Sequence, residues 1–136
     1  MAESGVDIVR SAFEASAEGA EEMLAYVHPE FEMTTPGQIA AESGTYRGHD
    51  GVRRWFDTFY EVMDRVAPKP IEVVATARGD RVAVEFDLVA RGRSSGIEAI
   101  QRAVALCALT DEKLSRIEFY ATLPEAIEAA GGFNPG

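Results

Sequence analysis

A chain of 136 residues fits one domain and is long enough to bury a hydrophobic core. Nearly half of the residues are apolar (46%) and about a quarter are charged (26%), the balance of an ordinary globular protein. The formal net charge of −10 repels phosphate backbones, so nucleic acid is not an expected partner.

Apolar runs and cysteine content indicate in which cellular compartment the protein is expected. The longest apolar run, residues 103–109, is far shorter than the roughly 20 residues of a membrane helix, so no membrane association is expected. The first residues lack a basic patch followed by an apolar stretch, so no secretory signal is expected either. Cys107 is the only cysteine, which rules out an internal disulfide and favours a cytoplasmic location.

Two helices are predicted at the start of the chain. Ser4 and Asp7 resemble the first and last residues of a capping box, and apolar residues then recur at helical spacing. A second helix is predicted from residue 20 and ends near His28-Pro29, because proline disfavours a helical conformation in the residue before it. The apolar positions of the two helices are Ile8, Val9, Ala12, Phe13, Ala20, Met23, Leu24 and Val27.

The next segment is predicted to be extended and then irregular. Residues 31–35 are typical of a short strand, and the Pro36-Gly37 pair that follows is a turn signal. Residues 38–47 show no clear period, and we expect them to form a loop. This region separates the second helix from the third.

The third helix has the strongest pattern in the chain. Its apolar residues fall at i, i+3, i+4, i+7 and i+11, which gives one wide aromatic stripe. Asp50 is predicted to cap its start, and Pro68 and Pro70 are predicted to end it. The stripe consists of Val52, Trp55, Phe56, Phe59 and Met63.

After Pro70 the apolar period changes to about 2, which predicts strands. Short links between them predict antiparallel pairing, and the Gly/Ser-rich link 92–96 is interpreted as a hairpin turn rather than a phosphate loop, because a strand follows it. Thr122 and Glu125 repeat the capping-box pattern before a short helix that ends at Gly131. The predicted strands are 71–78, 81–90, 97–109 and 114–121.

This order of elements predicts an α+β fold in which the helices lie on one face of a sheet. In the strand from Arg81, the apolar side carries Val82, Val84, Phe86 and Leu88. In the last strand it carries Ile117 and Phe119. For the long strand between them we expect the small-residue side to face inward: Gln101, Ala103, Ala105 and Cys107.

Four stretches resemble the nuclear-transport-factor-two-like superfamily, which includes the ketosteroid isomerases, and specifically its SnoaL-like branch: residues 26–31, 46–56, 91–98 and 111–130. The resemblance implies a single SnoaL-like domain over residues 1–136. It implies a cone-shaped α+β barrel, in which a curved antiparallel sheet wraps around three N-terminal helices. It also implies an apolar pocket in the cone and a homodimer through the convex face of the sheet.

The steroid isomerases of this superfamily use an Asp base before a proline and two oxyanion donors, a Tyr and a protonated Asp. The matching positions in this chain are Thr35, Phe13 and Ala105. A neutral Thr cannot serve as a carboxylate base, and Phe and Ala cannot donate a hydrogen bond. Steroid isomerase chemistry is therefore not expected.

The outer face is predicted to carry a mixed-sign set of side chains, and two interpretations compete. The set resembles the Asp-Arg-Asp group of epoxide hydrolases with this fold, which would make it an acid/base constellation. Cross-strand ion pairing or a subunit interface is the interpretation we favour, because charges seldom lie inside an apolar cone. The set consists of Glu85, Asp87, Arg102, Arg116 and Glu118.

Histidine and cysteine give little support for catalysis. His28 and His49 are the only histidines, and neither lies at helical spacing from another plausible ligand, so no metal site is expected. His28 is interpreted as a surface residue that ends a helix, and His49 as a conceivable base. Cys107 is interpreted as a small buried hydrophobe, since nothing near it in sequence lowers its pKa.

The aromatic stripe and the inward faces together predict a ligand pocket, in which Thr35 and Gln101 supply the polar groups. Three functions stay open: a cofactor-independent isomerase, cyclase or hydrolase acting on a small hydrophobic, ring-containing molecule; a non-catalytic binder of such a molecule; and a structural dimer whose cone is filled by side chains. The predicted pocket residues are Phe13, Met33, Thr35, Trp55, Phe59, Phe86, Gln101, Ala105, Cys107 and Phe119.

Overall fold

The computed structural model describes residues 4–35, 44–61 and 63–133. The first helix, α1, spans Gly5–Ser16, and the Ser4 hydroxyl accepts a hydrogen bond from the Asp7 N–H at 3.2 Å, as the capping pattern predicts. The second helix, α2, spans only Ala20–Leu24. The first helix buries its predicted apolar positions, and α2 buries Met23 and Leu24, whereas Val27 belongs to the strand that follows.

The first strand, β1, spans Val27–Thr35 and begins earlier than predicted. The expectation that a helix runs up to His28 was wrong. Pro29 is accommodated because it falls where the pairing of β1 with its neighbour is irregular, between Val27 and Glu32, so no regular ladder hydrogen bond is lost there.

The segment expected to be a loop contains a strand. Residues Gly44–Arg47 form β2, which pairs antiparallel with the end of β1. A strand of four residues is too short to show a period of 2 clearly. The Pro36-Gly37 turn and the rest of the expected loop up to residue 43 lie outside the described residues.

The third helix, α3, spans Gly48–Tyr60, with Arg47 as its N-cap residue. Asp50 therefore lies in the first turn rather than at the cap, where its carboxylate accepts a hydrogen bond from Arg53 at 2.8 Å. The helix ends before Met63, which begins the next strand.

The prolines thought to end α3 lie inside β3, which spans Met63–Ala75. Pro68 pairs with Leu88 and Pro70 with Phe86 in the register of the sheet. This is possible because β3 is an edge strand, whose outer side needs no backbone donor. The helix thus ends several residues before the prolines, and this part of the prediction was wrong.

The remaining strands are β4 (Arg81–Gly92), β5 (Glu98–Thr110) and β6 (Lys113–Tyr120). The six strands form one curved sheet in the order β2-β1-β6-β5-β4-β3. All neighbours pair antiparallel except β1 and β6, which run parallel. The predicted hairpin turn between β4 and β5 is confirmed by the hydrogen bond from the Gly96 N–H to the Gly92 carbonyl at 2.9 Å.

The inward faces of the strands are confirmed. Val82, Val84, Phe86 and Leu88 lie in the main core, which α1, α2 and α3 cover on the concave side of the sheet. The small side of β5 faces the same core through Ala103, Ala105 and Cys107. The result is the predicted cone-shaped α+β barrel.

A fourth helix, α4, spans Leu123–Ala129 and is capped by Thr122, whose hydroxyl accepts from the Glu125 N–H at 3.3 Å. It packs on the convex side of the sheet, so the expectation that all helices share one face was wrong. Since α4 follows the last strand directly, it can reach the outer face by a short connection. The second core consists of Ala83, Val104, Leu106, Ala126, Ile127 and Ala130. Within the described ranges, no helix is long and apolar enough to cross a membrane.

Candidate functional site

A small cavity lies inside the cone, between the helices and the concave side of the sheet. It offers about 40 Å³ of space for the centres of water-sized molecules. All three N-terminal helices and every strand except β2 contribute to its wall. The lining residues are Phe13, Ser16, Met23, Phe31, Met33, Val52, Trp55, Pro68, Phe86, Ala105, Ile117 and Phe119.

Six of the ten residues expected to line a pocket line this cavity: Phe13, Met33, Trp55, Phe86, Ala105 and Phe119. Phe59 and Cys107 are buried in the same core outside the cavity wall. Thr35 is buried beyond Met33 on the inward face of β1, and Gln101 is half-buried opposite Leu88.

Sequence reasoning missed the other lining residues for separate reasons. Met23, Phe31, Val52 and Ile117 belong to apolar faces that the spacing does indicate, so the same pattern could have included them. Ser16 lies one helical turn after Phe13, but a polar residue at that position gives no signal of its own. Pro68 could not be recognised as a wall residue, because the strand that contains it was predicted to begin only after Pro70.

The wall between α1 and the sheet is fixed by an aromatic contact. The rings of Phe13 and Phe86 meet edge to face, with centroids 5.1 Å apart. Ser16 is 2% exposed, and its hydroxyl donates to the Phe13 carbonyl at 2.6 Å. The proton of Ser16 is therefore already engaged within α1.

Trp55 lines the cavity through the apolar atoms of its indole, and its nitrogen is buried away from the lining surface. Its indole makes edge contacts with Phe56 and Phe59, at centroid distances of 5.1 and 4.9 Å, and is 7% exposed. Its buried Nε1 has no hydrogen-bond partner within the described part of the chain, and the same is true of the Thr35 hydroxyl. Each such group costs about 1–3 kcal/mol of stability when it stays unpaired.

Ionisable groups are absent from the cavity wall as far as the structure describes it. Cys107 lies nearby but is fully buried, and burial raises the pKa of its thiol to about 12. It is therefore a neutral thiol at physiological pH, not a nucleophile, as the sequence indicated. The described residues of the cavity wall offer apolar contacts but no general acid or base.

Neither histidine lines the cavity. His49 donates from Nε2 to the Val27 carbonyl at 2.9 Å, which ties the start of α3 to the start of β1. His28 accepts the Glu30 N–H at Nδ1 over 3.0 Å, and its Nε2 lies 3.7 Å from a carboxylate oxygen of Asp111. Both histidines therefore make local structural contacts. His49, which the sequence suggested as a base, does not lie at the cavity.

The mixed-sign set lies on the convex side, away from the cavity. Arg102 Nε donates to Asp87 Oδ1 at 2.6 Å, and its Nη1 lies 3.7 Å from Glu85 Oε2. Arg116 and Glu118 line a separate shallow groove beside β1. The cross-strand ion pairs agree with the interpretation we favoured, and an acid/base constellation inside the cone is not formed by these residues. No group of three metal-ligating side chains occurs among the residues that the structure describes.

Comparison with known families gives one match over most of the chain. The model of the SnoaL-like domain matches residues 9–117. A comparison with curated proteins finds no match to this sequence.

Solved structures share the fold over almost the full length at low sequence identity. TerC co-crystallised with polyporic acid is 22% identical, with a TM-score of 0.72, covering 91% of this chain and 98% of TerC. A putative polyketide cyclase from Xanthomonas campestris is 17% identical, with a TM-score of 0.71 and coverage of 91% and 94%. A Mycobacterium tuberculosis protein in complex with estradiol-17beta-hemisuccinate is 16% identical, with a TM-score of 0.71 and coverage of 89% and 96%.

Proposed function

The chain belongs to the SnoaL-like family, as its sequence resemblance predicted, and on that premise we propose that it binds a small, apolar, ring-containing molecule in the cavity of the cone. The observation that carries the proposal is a cavity in the cone whose described wall is aromatic and aliphatic. Two proteins of similar fold were crystallised with polyporic acid and with an estradiol derivative, which supports a ring-containing ligand.

The cavity must widen to admit a ring. Its volume of about 40 Å³ holds a few waters, whereas a cavity of about 150 Å³ is known to hold benzene. Met23 and Met33 line the cavity, and their unbranched side chains can change rotamer with little strain. Burying about 200 Å² of apolar ligand surface would contribute on the order of 5 kcal/mol before ordering costs, enough to drive such a movement.

Binding without catalysis fits the described side chains better than an isomerase, cyclase or hydrolase, because none of the described residues that line the cavity is ionisable. The fold shared with a putative polyketide cyclase keeps catalysis as an alternative. The small volume favours a further candidate, a structural module whose cone is filled by its own side chains. A test of ligand binding separates the structural module from the other two candidates.

The proposal includes the setting in which the protein acts. Residues 1–136 form a single domain that functions in the cytoplasm without a cofactor, where its one cysteine stays reduced. Two copies associate through the convex face, where Arg102 lies between Glu85 and Asp87 and can pair with acidic groups of a second copy across a two-fold axis.

The single tryptophan makes the binding proposal directly measurable. Trp55 lines the cavity and is the only Trp of the chain, so its fluorescence reports occupancy without interference. We expect titration with indane to change the emission saturably, and Met33→Ala, which enlarges the cavity, to bind indane more tightly. Ile97→Ala, at an exposed turn, is the matched control and should bind as the parent does.

An absence of binding would contradict the proposal. If neither the parent protein nor Met33→Ala gives saturable binding by fluorescence or by chemical shift changes, the cone is a filled structural core and the proposal is wrong. Free N-acetyltryptophanamide, titrated in parallel, removes any effect of the probe on indole emission itself.

A further inference from the structure

The pairing of β1 with β6 stops before either strand ends. Among the described residues, the last pair between the two strands is Met33 with Ile117. Beyond it, β1 continues to Thr35 through its pairs with β2, and β6 continues to Tyr120 through its pairs with β5. The two strands therefore separate at this point, and the sheet is split there between β2-β1 and β6-β5-β4-β3.

A groove lies between the separated strands. Four consecutive residues of β6 line it, although successive side chains of a strand point to opposite faces of the sheet. A groove that is lined from both faces must enter the plane of the sheet rather than lie on its convex side. We call this groove the β1–β6 gap, and its lining residues are Glu32, Thr34, Arg116, Ile117, Glu118 and Phe119.

The β1–β6 gap and the cavity of the cone share part of their walls. Ile117 and Phe119 line both spaces. Ile117 is 6% exposed, whereas Phe119 packs against the core of the cone and is only half-buried. These two side chains thus stand between the cavity and the gap, and the ring of Phe119 is the part of this barrier that solvent reaches.

Phe119 is also held less firmly than other aromatic residues of the cavity wall. Phe13 and Phe86 contact each other edge to face, and Trp55 contacts two rings of its own helix. Phe119 has no ring partner among the described residues, and its neighbour across the β5–β6 pair is Ala105, whose methyl group leaves space for a change of rotamer. Such a change would connect the gap with the cavity.

We propose that the ligand enters and leaves the cone through the β1–β6 gap, and that Phe119 changes rotamer to let it pass. The gap offers about 240 Å³ of space for the centres of water-sized molecules, more than the cavity of about 150 Å³ that is known to hold benzene. A ring can therefore rest in the gap before the narrower cavity widens to take it. The inference rests on the proposed function, because it names the route to the same cavity.

Two opposite threonines provide a matched test of the route. Thr34 lines the gap, and Thr45 is its partner on β2 outside the gap; both are exposed, and their hydroxyl oxygens lie 3.0 Å apart in a hydrogen bond. Thr34→Phe should slow both association and dissociation of indane roughly tenfold, equivalent to about 1.4 kcal/mol in the barrier, with little change in Kd. Thr45→Phe loses the same hydrogen bond and should exchange indane at the parent rate. Exchange line shapes of the single tryptophan indole resonance measure both rates in the intact protein.

A second pair of variants tests the barrier itself. Phe119→Leu shortens the side chain that the gap and the cavity share, and it should speed association and dissociation of indane together. Phe31→Leu changes a residue that lines the cavity but not the gap, so it should alter dissociation alone.

The outcomes separate this inference from the proposed function. If indane binds but exchanges at the parent rate in Thr34→Phe, or is slowed equally in Thr45→Phe, the ligand takes another route and the inference is wrong while binding stands. A change of Kd in Phe119→Leu without faster association would likewise overturn the role of Phe119. Failure of indane to bind both the parent protein and Met33→Ala would overturn the proposed function, and the inference with it.

Discussion

Cys107 is a thiol that folding removes completely from solvent. The thiol is fully buried on the concave side of β5, and burial raises its pKa from 9.0 to about 12. In the unfolded chain the thiolate forms at the ordinary value, and in the folded chain only near pH 12. The contribution of this group to stability is therefore full below pH 9 and is lost as the pH rises towards 12.

We expect Cys107 to be unreactive towards the thiol reagent DTNB at pH 8 in the native protein and to react fully in concentrated guanidinium. Above pH 9 the free energy of unfolding should fall by up to about 1.4 kcal/mol per pH unit because of this thiol. Cys107→Ala should show a shallower alkaline decline in denaturant titrations. Rapid labelling of the folded protein, or identical pH slopes in the two proteins, would contradict this account.

Gly51 determines how closely two elements approach. It lies in the first turns of α3, where an added Cβ would come within 2.8 Å of the carbonyl carbon of Tyr46 on β2. Real Cβ atoms essentially never approach so closely, so a larger residue would push the helix away from the strand. The contact is reinforced by Arg54, whose guanidinium carbon lies 4.5 Å from the centre of the Tyr46 ring.

We expect Gly51→Ala to lower the free energy of unfolding by up to about 2 kcal/mol, because overpacking of about 1–3 kcal/mol exceeds the roughly 1 kcal/mol that Ala gains over Gly in helix propensity. The matched control is Gly79→Ala, where an added Cβ meets nothing within 4 Å. That variant should be neutral or stabilised by up to about 1 kcal/mol. Thermal unfolding of both variants checks the pair, and equal stability of the two would refute the close-packing argument.

The elements that the sequence predicts well are those with long amphipathic patterns. The stripe of α3 and the alternation in β4 extend over many residues, so the inward faces and six of the twelve residues of the cavity wall follow from spacing. Pro29, Pro68 and Pro70 do not mark the ends of helices in this chain, because a strand tolerates proline at a sheet edge or at an irregular pairing, and neither condition can be recognised from local sequence. The unpaired state of Trp55 Nε1 depends on three-dimensional neighbours, and no local pattern indicates it.

At the scale of the whole molecule, the convex face is the surface that α4 leaves partly uncovered. Ile100 lies on β5 opposite Val89 and is 63% exposed. It is two residues from Arg102, so both side chains point to the convex face. Ile97 is 69% exposed, but it precedes β5 at the hairpin turn. The two isoleucines are thus similarly exposed, but only Ile100 lies within a strand on the convex face.

If two copies pair through the convex face, native mass spectrometry of the parent protein should show a dimer. Ile100→Asp should convert it to a monomer, because the variant buries a carboxylate in the interface near Asp87. Ile97→Asp should remain dimeric. A monomeric parent protein, or a dimer that tolerates Ile100→Asp, would show that the convex face is not the site of association.

The parallel pairing of β1 with β6 also affects the order in which the elements of the protein fold. Glu32 pairs with Arg116, and Met33 with Ile117, so the strand that carries part of the cavity wall joins a strand from the far end of the chain. Closing so large a loop is entropically slow compared with forming the hairpins of β3 to β6. During synthesis, β1 and its partner β2 cannot join the rest of the sheet until β6 has emerged, so the cavity wall is completed only after that step.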